Sequence, residues 1–432
     1  MALALALAGC SAGSLGSSSG ERTAAGTSSS PVSIKLLIDN GPATVASAQA
    51  LVKGFMAKNP AITVTVETRP GGADGDNLVK TRLATHTMAD VFEYNSGSLF
   101  QQIAPQKNLL ALNDQSWVAD VDKSFKPQVT VGSDIYGAPF GTAFGGGILY
   151  NRPIYAKLGL QVPKTWADFI KNSKAIKAAG IAPVVQTYQD TWTSQLLVLA
   201  DYHNIAAVQP DFAQKYTENK VKYATDPVAD DGFQHLQQIH DMGLVNSDYA
   251  SATNVMGLSM VATGKGAQYP MLSATISAIQ QSNPEKVKDV GFFAQPGSDP
   301  ANYGMTTWFP AGLYVPTSTT GDKLAAVKKF VAFVASPAGC DAFNSSSTPT
   351  GPYMIAGCTL PADVPQVTKD VQSYFTNDQQ SPALEFLSPV KGPNLEQICV
   401  QVGSGITSAQ AGAAQYDQDV KKQAQQLGLK GW

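Results

Sequence analysis

From Val32 onward, short runs with strand character alternate with longer runs of helical periodicity, and this alternation restricts the possible folds more than any other feature of the chain. Val32 to Ile38 reads as a buried first strand. A helix is predicted from Thr44 to Lys58, ended by Asn59-Pro60, because proline cannot continue a helix and disfavours it in the residue before. Ile62 to Glu67 alternates apolar and polar residues with the period of a strand. In Asp74-Gly-Asp-Asn77, Asp76 is expected to cap a helix running from Asn77 through His86, and a third strand follows at Asp90 to Tyr94. A further set has a helix opened by the capping pair Thr165 and Asp168, a strand from Ile181 to Gln186, and a helix after Thr191. Strands separated by helices of this length need crossover connections, so the predicted class is α/β, with mostly parallel sheets flanked by helices.

The chain of 432 residues exceeds what one core supports and suits two lobes. The glycine-rich stretch from Tyr136 to Asn151 carries strand patterns at both ends, as expected where a chain crosses between lobes, and Val290 to Pro296 is a second candidate crossing. Lobe one is therefore predicted over 31–142 plus 296–336, and lobe two over 143–295 plus 337–432. The tail is helical in pattern: Leu324 to Ala335, Asn394 to Val402 and Ala409 to Leu427.

Hydrophobic residues at 44% and charged residues at 15% point to a packed body rather than a disordered one. The formal net charge of −3 shows no basic footprint for nucleic acid or an anionic membrane surface.

The amino terminus has its own logic. Leu7-Ala8-Gly9-Cys10 resembles a bacterial lipobox, in which the bond before the cysteine is cut and the thiol receives a diacylglycerol. The preceding apolar run is too short to span a bilayer, which takes about 20 residues, and it lacks the basic region of a full secretory signal. Either residue 1 is not the native start or the chain is cut short there. Residues 1–9 are thus expected to be a signal-peptide remnant. Residues 10–30 then form the lipidated cysteine and a Ser/Gly/Ala/Thr linker of roughly 25 Å reach. The Gly16-Ser17-Ser18-Ser19-Gly20 match to a hydrolase elbow lies in this low-complexity run, without the strand and helix that give the motif meaning.

Besides Cys10 there are three cysteines, and an exported chain meets an oxidising environment. The preferred pairing is Cys340 with Cys358 across a Ser/Thr/Pro/Gly-rich loop, leaving Cys399 buried as a thiol. A Cys358–Cys399 bond and a fully reduced set stay open. The histidines His86, His203, His235 and His240 lack zinc-site spacing, Asp74-x-Asp76 lacks the remaining ligands of a calcium loop, and Gly145-Gly-Gly147 lacks the lysine of a phosphate loop. No metal or cofactor is expected.

Met88 to Ser96, Ile148 to Arg152, Val162 to Phe169, Gly264 to Met271 and Phe330 to Pro337, in this order behind a lipobox and a tether, resemble the extracellular solute-binding proteins of sugar-importing ABC transporters, the maltodextrin-binding-like group. That resemblance implies two α/β lobes with a carbohydrate held between them, closure around the ligand, and docking on a membrane permease. It further implies a monomer anchored by lipid at the outer membrane face of a Gram-positive cell.

In open α/β sheets ligands lie beyond the carboxyl ends of the strands, and sugars are met by aromatic platforms with amide or carboxylate partners. The loops so selected give Asn40, then Tyr94, Asn95 and Ser96, then Asp190, Thr191 and Trp192. The resemblance places ligand contacts at these loops and adds Tyr269 and Trp308. Trp192 is expected to face Tyr94 across the cleft, whereas Trp117 and Trp166 sit in helical patterns and are assigned to packing. A secreted glycosidase is the enzymatic alternative, with Glu93 and Asp190 as its carboxylates, and an adhesion or scaffold lipoprotein is a third class.

Overall fold

The computed structural model describes Pro31 to Trp432; residues 1–30, on which the expected signal remnant, lipidated Cys10 and linker fall, lie outside the described residues. Two sheets organise the chain. Their strands are β1 (Val32–Asp39), β2 (Ile62–Arg69), β3 (Val91–Tyr94), β4 (Gly137–Phe140), β5 (Phe144–Asn151), β6 (Ala182–Val184), β7 (Gly266–Leu272), β8 (Val290–Ala294), β9 (Met305–Trp308), β10 (Ala311–Tyr314) and β11 (Gln380–Pro382).

The first sheet has the order β2-β1-β3-β10-β4. β1 pairs in parallel with β2 along its whole length, from Val32 opposite Ile62 to Asp39 opposite Arg69, and in parallel with β3 on its other side. The connections are the helices Pro42–Lys58 and Gly72–Ala84. The first starts with Pro42, whose fixed φ suits a helix's first turn. The second starts at Gly72 rather than Asn77, so Asp76 lies inside it instead of capping it, and Asp74 occupies its first turn, where the helix dipole favours an acid. Glycine content there suggests a loop, but tertiary packing overrides so weak a propensity. Ile34, Leu36, Phe55, Phe92, Phe100 and Phe330 form the core of this lobe.

The second sheet runs β11-β9-β5-β7-β6, with β8 also on β5. Both sheets are mixed rather than mostly parallel. β10 runs antiparallel to β3 and β4, and β5 runs antiparallel to β7, β8 and β9. The reason is the crossing itself, because a strand that arrives from the other lobe enters its sheet from the opposite end. The first crossing joins β4 to β5 through Gly141–Ala143, and Gly141 has φ 113°, a conformation that side chains disfavour. A side chain at Gly146 would run into the Trp308 ring, so β5 needs glycine where it passes β9.

The second crossing lies later than Pro296. β9 still belongs to the second sheet, and the chain changes lobe between Trp308 and Ala311. The third change also comes later than Pro337. The helix Pro337–Asn344 packs on Pro42–Lys58 in lobe one, and Met354 and Ile355 remain in that core, whereas the helix Gln366–Thr376 packs on β8 in lobe two. The second crossing is tied to lobe one by Ser96, just beyond β3, whose Oγ donates to the Pro310 carbonyl.

The helices Leu395–Gly403 and Ala409–Gln426 close the core of lobe two around Phe233, Tyr416, Val402 and the buried thiol of Cys399. Cys340 is bonded to Cys358. Trp117 and Trp166 are buried, the latter stacked on His235 with ring centroids 3.7 Å apart. Among the described residues no helix is long and apolar enough to cross a membrane.

Candidate functional site

Between the lobes lies a cavity of about 920 Å³. Its lobe-one wall comes from the start of the Pro42–Lys58 helix, the end of β3, the crossing residues Phe140 to Thr142, and the loop Ser346 to Thr350. Its opposite wall has Phe144, Trp308, Gln280 and Gln281, and a segment with Glu385 and Phe386 closes one end.

Trp308 is the largest platform. It ends β9, lies parallel to Phe144 at 11° with centroids 6.3 Å apart, and donates its indole N–H to Glu385 Oε1. Glu385 Oε2 meets Lys391 Nζ at 3.2 Å. The same segment reaches lobe one, where Ser98 Oγ donates to the Glu385 carbonyl and Phe386 packs edge-on against Phe309 at 5.4 Å. The indole is therefore fixed by groups from both sides of the crossing.

The rest of the wall is rich in hydroxyls. Ser47 Oγ and Ser347 Oγ lie 2.8 Å apart, Thr142 Oγ1 and Thr350 Oγ1 3.2 Å apart, and Ser96 Oγ donates to the Pro310 carbonyl at 2.9 Å. The disulfide closes the loop carrying Ser346 to Thr350. Aromatic faces beside hydroxyl and amide groups suit a ligand with apolar faces and hydroxyl edges.

At the end of β3, Glu93 lines the cavity while almost fully buried. Arg69 Nη2 donates to its Oε2 at 3.1 Å, and the Asp39 backbone N–H donates to the same oxygen at 3.0 Å. Burial pushes the Glu93 carboxyl above the usual glutamate range, and Arg69 opposes that rise.

Of the residues selected from sequence, Asn95, Ser96 and Trp308 line the cavity together. Asn40 is exposed at the end of β1, just before the lining residues Pro42 to Thr44. Tyr94 and Tyr269 have no exposed surface, so neither presents a face to the cavity. Tyr94 packs over the Arg69 guanidinium, 5.6 Å from its ring centroid. The Tyr269 hydroxyl is shared with Thr187 Oγ1 at 2.6 Å and donates to Asn254 Oδ1 at 3.0 Å.

Asp190, Thr191 and Trp192 are half-buried in lobe two and are not in the lining. The Asp190 carboxylate accepts the Asn254 backbone N–H at 2.6 Å, and Trp192 packs against the core around Leu196, Leu258 and Tyr269. Trp192 therefore does not meet Tyr94 across the cleft, and Asp190 and Glu93 do not share it as a carboxylate pair. Among the described residues no group of His, Cys, Asp and Glu is arranged to hold a metal ion.

Sequence reading did not select Phe140, Phe144, Glu385 or the Ser346–Thr350 loop. The two phenylalanines flank the glycine crossing, which was the available signal for them. Glu385 follows a short segment of ordinary composition, and nothing local marks it.

The family model described as bacterial extracellular solute-binding protein matches residues 39–339. The chain is 26% identical over 298 residues to the multiple sugar-binding protein of Streptococcus mutans, covering 67% of this chain and 68% of that one. It is 24% identical over 324 residues to the melibiose/raffinose/stachyose-binding protein MelE of Bacillus subtilis, covering 72% and 68%. Among solved structures it superposes on the binding protein RafE in complex with raffinose with a TM-score of 0.72 at 19% identity, covering 91% of this chain and 99% of that one.

Proposed function

Since the chain belongs to the bacterial extracellular solute-binding proteins, we propose that it binds a di- or oligosaccharide in the cleft between its lobes and delivers it to the permease of an ABC importer. The carrying observation is the cleft of about 920 Å³, with Trp308 and Phe144 on one wall and serine, threonine and asparagine groups on the other. A volume near the top of the usual range for small-molecule sites suits more than one sugar ring. The sugars in the names of its relatives support the same ligand class.

Asn95, Ser96 and Trp308 are proposed as ligand contacts, with Asn40 at the rim. Closure of the two lobes about their crossings would complete the site, the hinge transition of binding proteins. The body acts as a monomer at the outer face of a Gram-positive membrane, held by a lipid on Cys10 through the Ser/Gly linker. No catalytic step is assigned to this chain.

A thermal-shift series over α- and β-linked oligosaccharides tests the proposal. A true ligand at a hundred times its dissociation constant stabilises the folded state by about 2.7 kcal/mol. The sugar is expected back unchanged by chromatography after incubation. Absence of saturable binding across the series, or appearance of hydrolysis products, would overturn the reading. The anchor is read separately: alkyne fatty-acid labelling in a host supplying a full signal should mark the wild type and not Cys10→Ala.

A further inference from the structure

Building on the sugar-binding reading, we infer that Glu93 is the fixed hydroxyl acceptor of the cleft, that it selects uncharged glycans over anionic ones, and that Arg69 is the positioning residue that holds it. The geometry is unusual for a structural ion pair. Both the Asp39 N–H and Arg69 Nη2 use the same oxygen, Oε2, while Oε1 has no partner among the described residues. Glu93 nevertheless lines the cavity. A buried carboxylate with one oxygen unused is an acceptor waiting for donors, and the hydroxyls of a sugar edge supply them.

The carboxylate cannot turn away. Arg69 is 4% exposed, and its guanidinium also donates to the Pro70 carbonyl at 3.2 Å, with Asp39 Oδ2 3.9 Å from Nη1 and the Tyr94 ring on one face. The Asp39 carboxylate is in turn fixed by the Gly41 N–H at 2.7 Å. Rotating Glu93 would break two hydrogen bonds and leave a buried guanidinium short of its main partner.

Selectivity follows from the rest of the wall. Among the described residues the charged side chains in the lining are Glu93 and Glu385, and none is Lys, Arg or His. Glu385 is already engaged by Trp308 and Lys391. A uronate or phosphorylated sugar would bring a further negative charge with no cation in the wall to meet it, an unpaired juxtaposition that rejects a ligand. The groups facing Glu93 that could alter its charge are Arg69, Asp39 and the phenols of Tyr94 and Tyr314. Its pKa lies above the usual glutamate value because burial outweighs Arg69, so mild acid protonates it before an ordinary surface glutamate.

The test uses calorimetry on the folded protein with neutral oligosaccharides and their uronate-containing counterparts. Wild type should prefer the neutral member of each pair, and Glu93→Gln should bind it at least about tenfold more weakly, the range for a lost charge-assisted hydrogen bond. Wild-type affinity should be full near neutrality and fall as pH drops toward the ordinary glutamate pKa of about 4.3, because protonation removes the charge that strengthens the hydrogen bonds Glu93 accepts. Glu385→Gln should keep that decline, and Arg69→Gln should move its midpoint to higher pH, which a merely structural arginine would not do.

If Glu93→Gln does not fold, the wild-type pH profile decides, and a flat profile overturns the inference. Sugar binding with an unchanged Glu93→Gln affinity overturns this inference and leaves the sugar reading intact. No binding of any member by wild type overturns both.

Discussion

The loop after β3 in lobe one and the loop after β6 in lobe two have similar composition, yet they occupy opposite situations. Each follows a buried strand and sets tyrosine beside amide, hydroxyl and acidic groups. In lobe one, Asn95 is exposed to the cleft, Ser96 lines it, and Glu93 keeps an oxygen free. In lobe two, the Thr187 and Thr193 hydroxyls bond each other at 3.0 Å, Thr187 shares the Tyr269 hydroxyl, and Asn254 meets both Tyr269 and Asp190. These residues satisfy one another, and the Tyr188 hydroxyl and Gln186 Nε2 of the same loop, which lack partners among the described residues, are buried out of a ligand's reach. A polar loop serves a ligand only where valences remain unspent, and spent hydrogen bonds make the same residue types into structure.

Covalent closure of the lobe-one wall is the first way to strain this contrast. The Cys340–Cys358 bond closes a loop with a sequence separation of 18, and that loop carries Ser346 to Thr350 into the cleft. Replacing both cysteines by serine is expected to cost about 3 kcal/mol in the chain-entropy account. Differential scanning calorimetry should show a lower melting temperature, and ligand affinity should fall with it. An unchanged melt would mean that the loop is held by its other contacts, and the lobe-one wall would be no more dependent on its staple than the lobe-two cluster.

Trp308→Ala gives the next largest effect. It removes the widest aromatic face in the cleft while leaving Phe144 and the sheet register in place. A dominant anchor of this kind contributes on the order of 2 kcal/mol or more, about a thirtyfold weakening. Isothermal titration on the variant, alongside a circular-dichroism melt, reads affinity and folding separately. Affinity within error of wild type would return Trp308 to a packing role against Glu385 and move the ligand to the hydroxyl-rich wall.

Much of the architecture was legible because periodicity and caps are local. The β1-helix-β2 unit follows from alternation and the Asn59-Pro60 stop, and Thr165 accepts the Asp168 N–H as its spacing implies. The glycine crossing was legible because Gly141 adopts a backbone conformation that side chains disfavour, while a side chain on Gly146 would strike the Trp308 ring. The second crossing was not, because β8 and β9 are both buried strands and nothing local says that the chain stays in the same sheet between them.

Site residues were harder for a related reason. All four residues of β3 are buried, so neither face carries the polar marking that identifies a solvent side. Adjacent strand residues point to opposite faces, and the choice between Glu93 and Tyr94 as the one facing the cleft depends on what covers each side of the sheet. Tyr269 poses the same problem on β7, whose first six residues are buried. Asn95 and Ser96 were found because the loop beyond β3 faces the cleft whatever the strand's parity, whereas the loop beyond β6, selected by the same rule, does not line it.

The smallest expected effect is the sharpest test of the comparison. Trp192 lies in the short 3-10 helix Thr191–Gln195 after the lobe-two loop, and it rests on the core formed by Leu196, Leu258 and Tyr269 rather than lining the cavity. Trp192→Ala should therefore lower the melting temperature through lost packing, on the scale of a partly buried aromatic, about 1–3 kcal/mol. Ligand affinity should change by less than about threefold, under 1 kcal/mol. Calorimetric titration with the same sugar used for Trp308→Ala places the two tryptophans on one scale. A thirtyfold loss at Trp192 with folding intact would mean that lobe closure brings the lobe-two loop onto the ligand. The self-satisfied cluster of Thr187, Asp190, Asn254 and Tyr269 would then be the rigid mount of a second platform, and the contrast between the two lobes would belong to the conformation described above alone.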